Sequence, residues 1–323
     1  MRALLAHLGD PQRAYPSIHV VGSVGKGTAV RTIEELLRRE RLRVGAYLSP
    51  HVRGWSERIR VDGREADFEA AIGRVRPHAE GATQFEVLTA AALVEFAAAG
   101  VDVAVVEAGL GGRLDATNVV DAPVVLVTNV SLEHTDVLGD TPEQIAKEKL
   151  AVAHAARVVV LPDNNFARLV PPSARIVLGG AREAAEAFLE REVDGDVQVS
   201  LPGRFERRGE DVWDGAHTPV AVEWLLERLP RRDYVLCVSI LRDKDVDGIL
   251  RGLSEAGRTL VATQSTNPRA LPAGELAARA APHFDRVEAV DDAVAALARA
   301  HQVGGAVLVT GSLYLLADLS KRE

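Results

Sequence analysis

Short β-branched runs alternate with helical stretches along this chain, and the alternation occurs twice. Ser17–Val21, Arg43–Tyr47, Val101–Val106, Val124–Thr128 and Arg157–Leu161 read as buried strands. Between them Thr28–Arg41, Gln84–Ala99 and Pro142–Ala155 read as helices, the last opened by Thr141 as N-cap and Pro142 at the first helical position. Apolar strands separated by helices build a parallel sheet covered on both faces. The pattern restarts with strands at Tyr234–Ile240, Thr259–Thr263 and Ala306–Thr310 and helices at Pro219–Arg228, Pro272–Ala280 and Asp291–Ala300. The intervening Glu192–Arg208 holds Asp194-Gly195-Asp196 and Leu201-Pro202-Gly203-Arg204, turn chemistry that suits a linker. A length of 323 residues fits two domains of ~100–200 residues each, here 1–200 and 201–323.

Composition excludes several function classes. Lys and Arg number 38 against 46 Asp and Glu, a net charge of −8, so nothing draws the chain to nucleic acid or an anionic membrane. No apolar run approaches the ~18 residues that span a bilayer; the richest, Thr89–Gly100, is broken by Glu95. Arg2 is followed by His7 and Asp10 rather than by a signal-peptide core. One cysteine, Cys237, makes neither an intrachain disulfide nor a cysteine-built metal site. A soluble cytoplasmic protein is expected. Only five basic residues are lysine, namely Lys26, Lys147, Lys149, Lys244 and Lys321, which raises the question of what each ammonium or amine does.

The first strand runs into Gly22-Ser23-Val24-Gly25-Lys26-Gly27-Thr28, and a helix follows. Glycines let backbone N–H groups approach phosphate oxygens, the helix start adds positive potential, and lysine reaches the outer phosphates. Gly27 separates Lys26 from Thr28, so the strict Walker spacing is not met. A plain glycine turn is the bland reading; the strand–loop–helix context favours phosphate. The expected fold class is therefore α/β: a P-loop-type, mostly parallel ATPase domain followed by a smaller Rossmann-like α/β domain.

Further motifs occur in a fixed order. Gly25-Lys26-Gly27-Thr28 is followed by Leu48-Ser49-Pro50-His51 with Glu57-Arg58-Ile59, then by Gln84-Phe85-Glu86. The glycine-rich run from Glu107 to Asn118 comes next, then Thr128-Asn129, Glu133-His134-Thr135-Asp136 and Ile145-Ala146-Lys147-Glu148-Lys149. Together these resemble the folylpolyglutamate synthase / dihydrofolate synthase family, a branch of the Mur ligases. The resemblance implies an ATP-dependent carbon–nitrogen ligase: ATP phosphorylates a pteroate or folate carboxylate, and the amine of L-glutamate displaces phosphate. It implies ATP and Mg2+ as cofactors, small molecules as partners and a monomer.

The resemblance also implies roles. Gly22, Gly25, Lys26, Gly27 and Thr28 hold phosphates. Ser49, Glu107, His134 and Lys149 hold magnesium, and Lys26, Glu107, His134 and Lys149 form the catalytic set. Lys149 is expected to be carbamylated, its amine converted by carbon dioxide into an anion that supplies oxygen to a metal. Gln84, Phe85 and Glu86 with Leu114, Asp115 and Ala116 line a pterin pocket, since a ring beside a carboxylate suits a flat hydrogen-bonding heterocycle. Arg204 and Asp214 contact ATP, and His217 lies nearby. Taken singly these residues have ordinary readings: Ser49 as a turn residue before proline, His134 as a loop or capping residue, Phe85 as helix core, Lys149 as a surface lysine paired with Glu148 or Glu143.

The chain departs from the family pattern at three places. Val24 stands where the family carries asparagine, which removes a side-chain contact in the loop. Thr218 stands where an asparagine follows Asp214-Gly215-Ala216-His217. The segment from Lys149 to Arg204 is short and lacks the asparagine that reaches adenine. These departures motivate a second reading, a non-catalytic nucleotide- or pterin-binding relative. A simple P-loop ATPase or kinase is a third, set against it by Gly27 and by the matching second half.

Overall fold

The computed structural model describes residues 1–321. The chain divides into two compact units, Met1–Val199 and Ser200 onward.

The first unit is built around one sheet. Its strands are β1 (Ser17–Val21), β2 (Val44–Tyr47), β3 (Ile59–Val61), β4 (Arg64–Glu65), β5 (Val103–Glu107), β6 (Val124–Val127), β7 (Val158–Leu161) and β8 (Arg175–Leu178). Its helices are α1 (Arg2–His7), α2 (Lys26–Arg39), α3 (Phe68–Val75), α4 (Gln84–Ala99), α5 (Thr135–Leu138), α6 (Pro142–Leu150) and α7 (Ala181–Leu189). The strand order is β4-β3-β2-β5-β1-β6-β7-β8, with β2 through β8 in that order mutually parallel and β3 and β4 antiparallel at one edge. Chain order leaves β1 for β2, returns to β5 between them, then passes to β6 on the other side of β1. Such a reversal opens a crevice at the carboxyl ends of the strands. β1, β2, β5, β6 and β7 are buried along their whole length, as a sheet covered on both faces requires. α2 lies on β2 and β5 and packs against α7, while the Phe96 ring of α4 lies over Gly45 of β2.

The second unit holds β9 (Glu206–Arg208), β10 (Asp211–Trp213), β11 (Val235–Val238), β12 (Thr259–Ala262), β13 (Arg286–Ala289) and β14 (Val307–Thr310) in the order β13-β12-β11-β14-β10-β9. All neighbours are parallel except β9, which pairs antiparallel with β10. The helices α8 (Pro219–Arg228), α9 (Val246–Leu253), α10 (Ala273–Ala280), α11 (Ala293–Val303) and α12 (Leu313–Ser320) connect them. The expected α/β architecture, a mostly parallel sheet followed by a smaller Rossmann-like sheet, is what the chain adopts. No helix among the described residues is long and apolar enough to cross a membrane.

One core residue couples the fold to pH. His19 of β1 is fully buried, and burial first, with His154 second, pushes its pKa down to about 3. Unfolded, the same imidazole titrates at ~6.5. Between those values the unfolded chain binds a proton that the folded chain does not. Stability is therefore expected to fall as pH drops through that window, by at most about 1.4 kcal/mol per pH unit. Urea unfolding at about pH 7 and about pH 5 checks this: His19→Gln should lose less stability on acidification than the parent chain, and equal losses contradict it.

Candidate active site

The loop after β1 is shaped for an anion. Gly22 has φ +144°, and an ideal Cβ there would lie 1.9 Å from Thr128 Oγ1, so only glycine fits against the loop that follows β6. Gly25, in the left-handed region at φ +83°, precedes the first residue of α2, and no side chain caps this helix. Its first N–H groups are left to water or a ligand. The loop is tied from behind. Asn129 Oδ1 accepts from the N–H of Ser23 (3.1 Å) and of Val24 (2.8 Å), and Thr128 Oγ1 donates to Val24 O at 2.8 Å. Val24 thus costs the loop no anchorage, because Asn129 grips its backbone.

Two lysines converge on the same point. Lys26 Nζ donates to Gly22 O at 2.9 Å, and Lys149 Nζ donates to the same oxygen at 3.0 Å. Lys149 is 1% exposed and forms an ion pair with Glu133 Oε1 at 2.6 Å. Burial pushes its amine toward the neutral form; Glu133 opposes this and Lys26 adds to it. It is no surface lysine, whereas Lys147 two residues earlier is exposed. The glycine run sets this geometry. Gly112 lies against the α6 backbone, where a Cβ would meet Glu148 O and Lys149 O at 2.7 Å each, and Arg113 N donates to Glu148 O at 3.0 Å.

Glu107, 3% exposed, ends β5, and its Oε2 accepts from Ser49 N at 2.9 Å. Adjacent strand ends therefore bring Ser49 and Glu107 together beside β1. His134 is exposed at the N-cap of α5 in the left-handed region, one residue after Glu133. Among the described residues no group of three or more His, Cys, Asp or Glu side chains is arranged to hold a metal ion. The oxygen donors that do meet, one carboxylate and one hydroxyl-bearing residue beside a phosphate-shaped loop, suit magnesium, which keeps waters and binds through few protein ligands plus phosphates.

The substrate residues fall into two groups. A Cβ at Gly109 would lie 2.5 Å from Phe85 Cζ and 3.1 Å from Asp115 Oδ2, so the ring and the carboxylate flank one glycine. Asp115 Oδ2 accepts from Leu110 N at 2.8 Å and Oδ1 from Thr117 N at 2.9 Å. Leu114 is 79% exposed and Ala116 partly so. Gln84 is exposed at the start of α4, and Glu86 closes a capping box there, accepting from Thr83 N at 2.8 Å. Upstream, the Ser49–Ile59 loop is braced internally. Glu57 accepts from the N–H of Val52 and Gly54, Arg58 Nε donates to His51 Nδ1 at 2.9 Å, and the Trp55 ring lies 4.3 Å from that of His51.

In the second unit Asp214 is buried, with Oδ2 accepting from Phe205 N at 2.7 Å and Oδ1 from Ala216 N at 2.8 Å. Burial raises its pKa against those two bonds. The carboxylate thereby folds the Arg204 turn onto the β10 exit, where Gly215 N also donates to Gly203 O at 2.9 Å. His217 Nδ1 lies 2.7 Å from Gly215 O. Thr218, in place of asparagine, caps α8 by accepting from Ala221 N.

Glu133 and Asn129 stand in the ordered motifs of the sequence, but nothing there gave either a role. Their signal was position: each follows the apolar run of β6 within a few residues, at the strand end that faces the phosphate loop.

The description "Mur ligase middle domain" matches residues 20–201, and "Mur ligase, glutamate ligase domain" matches residues 203–313. The dihydrofolate synthase/folylpolyglutamate synthase of Escherichia coli is 33% identical over 379 residues, covering 97% of this chain and 88% of that protein. A probable bifunctional folylpolyglutamate synthase/dihydropteroate synthase of Haloferax volcanii is 34% identical over 400 residues; the alignment takes in 98% of this chain, which spans 47% of that protein. Among solved structures, the Mycobacterium tuberculosis folylpolyglutamate synthase complexed with ADP and AMPPCP superposes with a TM-score of 0.92 at 30% identity, covering 100% of this chain and 95% of that one. A bifunctional folylpolyglutamate synthase/dihydrofolate synthase with Mn, AMPPNP and L-glutamate bound gives 0.85 at 28% identity, covering 98% and 91%.

Proposed function

Because the chain belongs to the dihydrofolate synthase/folylpolyglutamate synthase family of Mur ligases, we propose that it joins L-glutamate to a pteroate or folate carboxylate at the expense of ATP. The observation that carries this reading is the convergence of Lys26 and Lys149 on Gly22 O at an uncapped helix start. A module that only bound nucleotide would have no use for a second, buried lysine there, so the non-catalytic reading is not favoured.

The reaction runs in two displacements. A carboxylate oxygen of the acceptor attacks the γ-phosphorus of ATP and ADP leaves, giving an acyl phosphate. The glutamate nitrogen then attacks the acyl carbon, phosphate leaves and the amine loses a proton. Backbone N–H groups of the glycine loop and the Lys26 ammonium hold the transferring phosphoryl group in line and stabilise its oxygens. Ser49, Glu107 and His134 would hold Mg2+, which when bound neutralises phosphate charge. Lys149 would join them as a carbamate. Its nitrogen attacks carbon dioxide, a C–N bond forms and a proton is released, so the two cations at Gly22 O become a cation and an anion. Phe85 and Asp115 would receive the acceptor's heterocycle, and Arg204, Asp214 and His217 the nucleotide. The protein acts as a monomer in the cytoplasm.

The test is the coupling of ATP use to both co-substrates. ADP release is expected only when acceptor and L-glutamate are both present with Mg2+. Steady ADP release with neither would favour a simple ATPase.

A further inference from the structure

We propose that His19 is a positioning residue for the acceptor: through Thr117 it fixes the carboxylate of Asp115 so that a single lone pair faces the heterocycle. The inference rests on the proposed function for the place of Asp115 in the pocket.

The hydrogen-bond directions follow from the number of available protons. Thr117 Oγ1 lies 2.5 Å from Asp115 Oδ1 and 2.8 Å from His19 Nε2. A carboxylate only accepts, and a hydroxyl has one proton to give. Thr117 therefore donates to Asp115, and the hydroxyl oxygen must accept from His19 Nε2–H. This fixes the neutral imidazole with its proton on Nε2, while Nδ1 is buried without a hydrogen-bond partner. The two inner groups are shut away from solvent. His19 is fully buried in the central strand β1 and Thr117 is fully buried in the glycine run.

The consequence is for the outer end of the chain of bonds. A carboxylate has about four acceptor positions. Oδ1 takes Thr117 N at 2.9 Å and Thr117 Oγ1, and Oδ2 takes Leu110 N at 2.8 Å. One position on Oδ2 is left, on the oxygen that shares Gly109 with the Phe85 ring. That position suits an N–H donor at the edge of a flat ring lying on Phe85. Without the histidine donor, the Thr117 hydroxyl oxygen loses the bond that holds it from behind, so one of the three bonds that set the plane of Asp115 is less tightly fixed.

The test separates KM from kcat. With L-glutamate and ATP saturating, His19→Leu and Thr117→Val should each raise KM for the pteroate acceptor about tenfold, with kcat and KM for ATP within about twofold. His19→Gln, whose amide N–H2 can donate from the place of Nε2, should restore the acceptor KM. If leucine and glutamine at position 19 behave alike, or if all constants move together, His19 is a packing residue only. Should His19→Leu fail to fold, Thr117→Val carries the same expectation. A parent chain that ligates no acceptor overturns the functional reading instead. Fluorescence titration with dihydropteroate then decides the positioning role alone: weaker binding by Thr117→Val upholds it, and equal Kd overturns it.

Discussion

Glu107→Gln is expected to lower the ligation rate by about 10²–10³-fold while leaving the fold and its thermal midpoint intact. The substitution keeps the shape of the side chain and an oxygen that can still accept from Ser49 N, now 2.9 Å from Oε2. What it removes is negative charge at the end of β5, beside the phosphate loop. A 3% exposed carboxylate is costly to bury, so a neutral isostere at this place should not weaken folding. Loss of turnover with an unchanged melting curve would mean that the charge serves the reaction. Full activity in Glu107→Gln would refute the metal role of this residue.

Lys149→Arg is expected to have an effect of similar size, about 10²–10³-fold, for a different reason. Arginine retains the cation and can still pair with Glu133, so an electrostatic role alone would survive the change. A guanidinium does not lose its proton at working pH and cannot add carbon dioxide. Incubation with ¹³C-bicarbonate should give a carbamate carbon resonance in the parent chain and none in Lys149→Arg. Turnover by Lys149→Arg at the parent rate would leave Lys149 as the buried half of an ion pair. Adding carbon dioxide turns repulsion between Lys26 and Lys149 into attraction but sets the new anion beside Glu133, now 2.6 Å from the amine, so the carbamate would need a bound metal ion to offset that carboxylate.

Most of the parallel architecture was legible because fully buried strands read as unbroken apolar runs. α4 and α8 match their sequence readings residue for residue, each with a threonine cap, and α4 with a glycine at its end. The strands that escaped notice are short or part-exposed: β3, β4, β9 and β10 have two or three residues each, and β9 lies inside Glu192–Arg208, whose turn residues read as a linker but whose end pairs with β10. β8 at the sheet edge and β13 in the second unit carry arginine and exposed positions in place of an apolar run. α6 was read as running to Ala155, but it stops at Leu150 and a 3-10 turn continues; no glycine or proline marks that change. The site was legible as a set of loci and not as a set of contacts. Sequence order could give the phosphate loop, Glu107 and Lys149. It could not show that Lys149 turns to Glu133 and Gly22, because that pairing depends on how the glycine run seats α6. His19 was invisible for a simpler reason: a lone histidine in an apolar strand looks like a packed core residue until its partner Thr117, 98 residues away, is in place.

The central claim is the formation of an amide between an acceptor carboxylate and L-glutamate. Mass spectrometry of the products tests it most directly. The protein would be incubated with ATP, Mg2+, bicarbonate and L-glutamate, with dihydropteroate in one sample and tetrahydrofolate in another. A gain of one glutamate residue on either acceptor, dependent on ATP, is the expected result and shows which acceptor is taken. No gain on both, with ATP binding verified separately, would contradict the ligase reading.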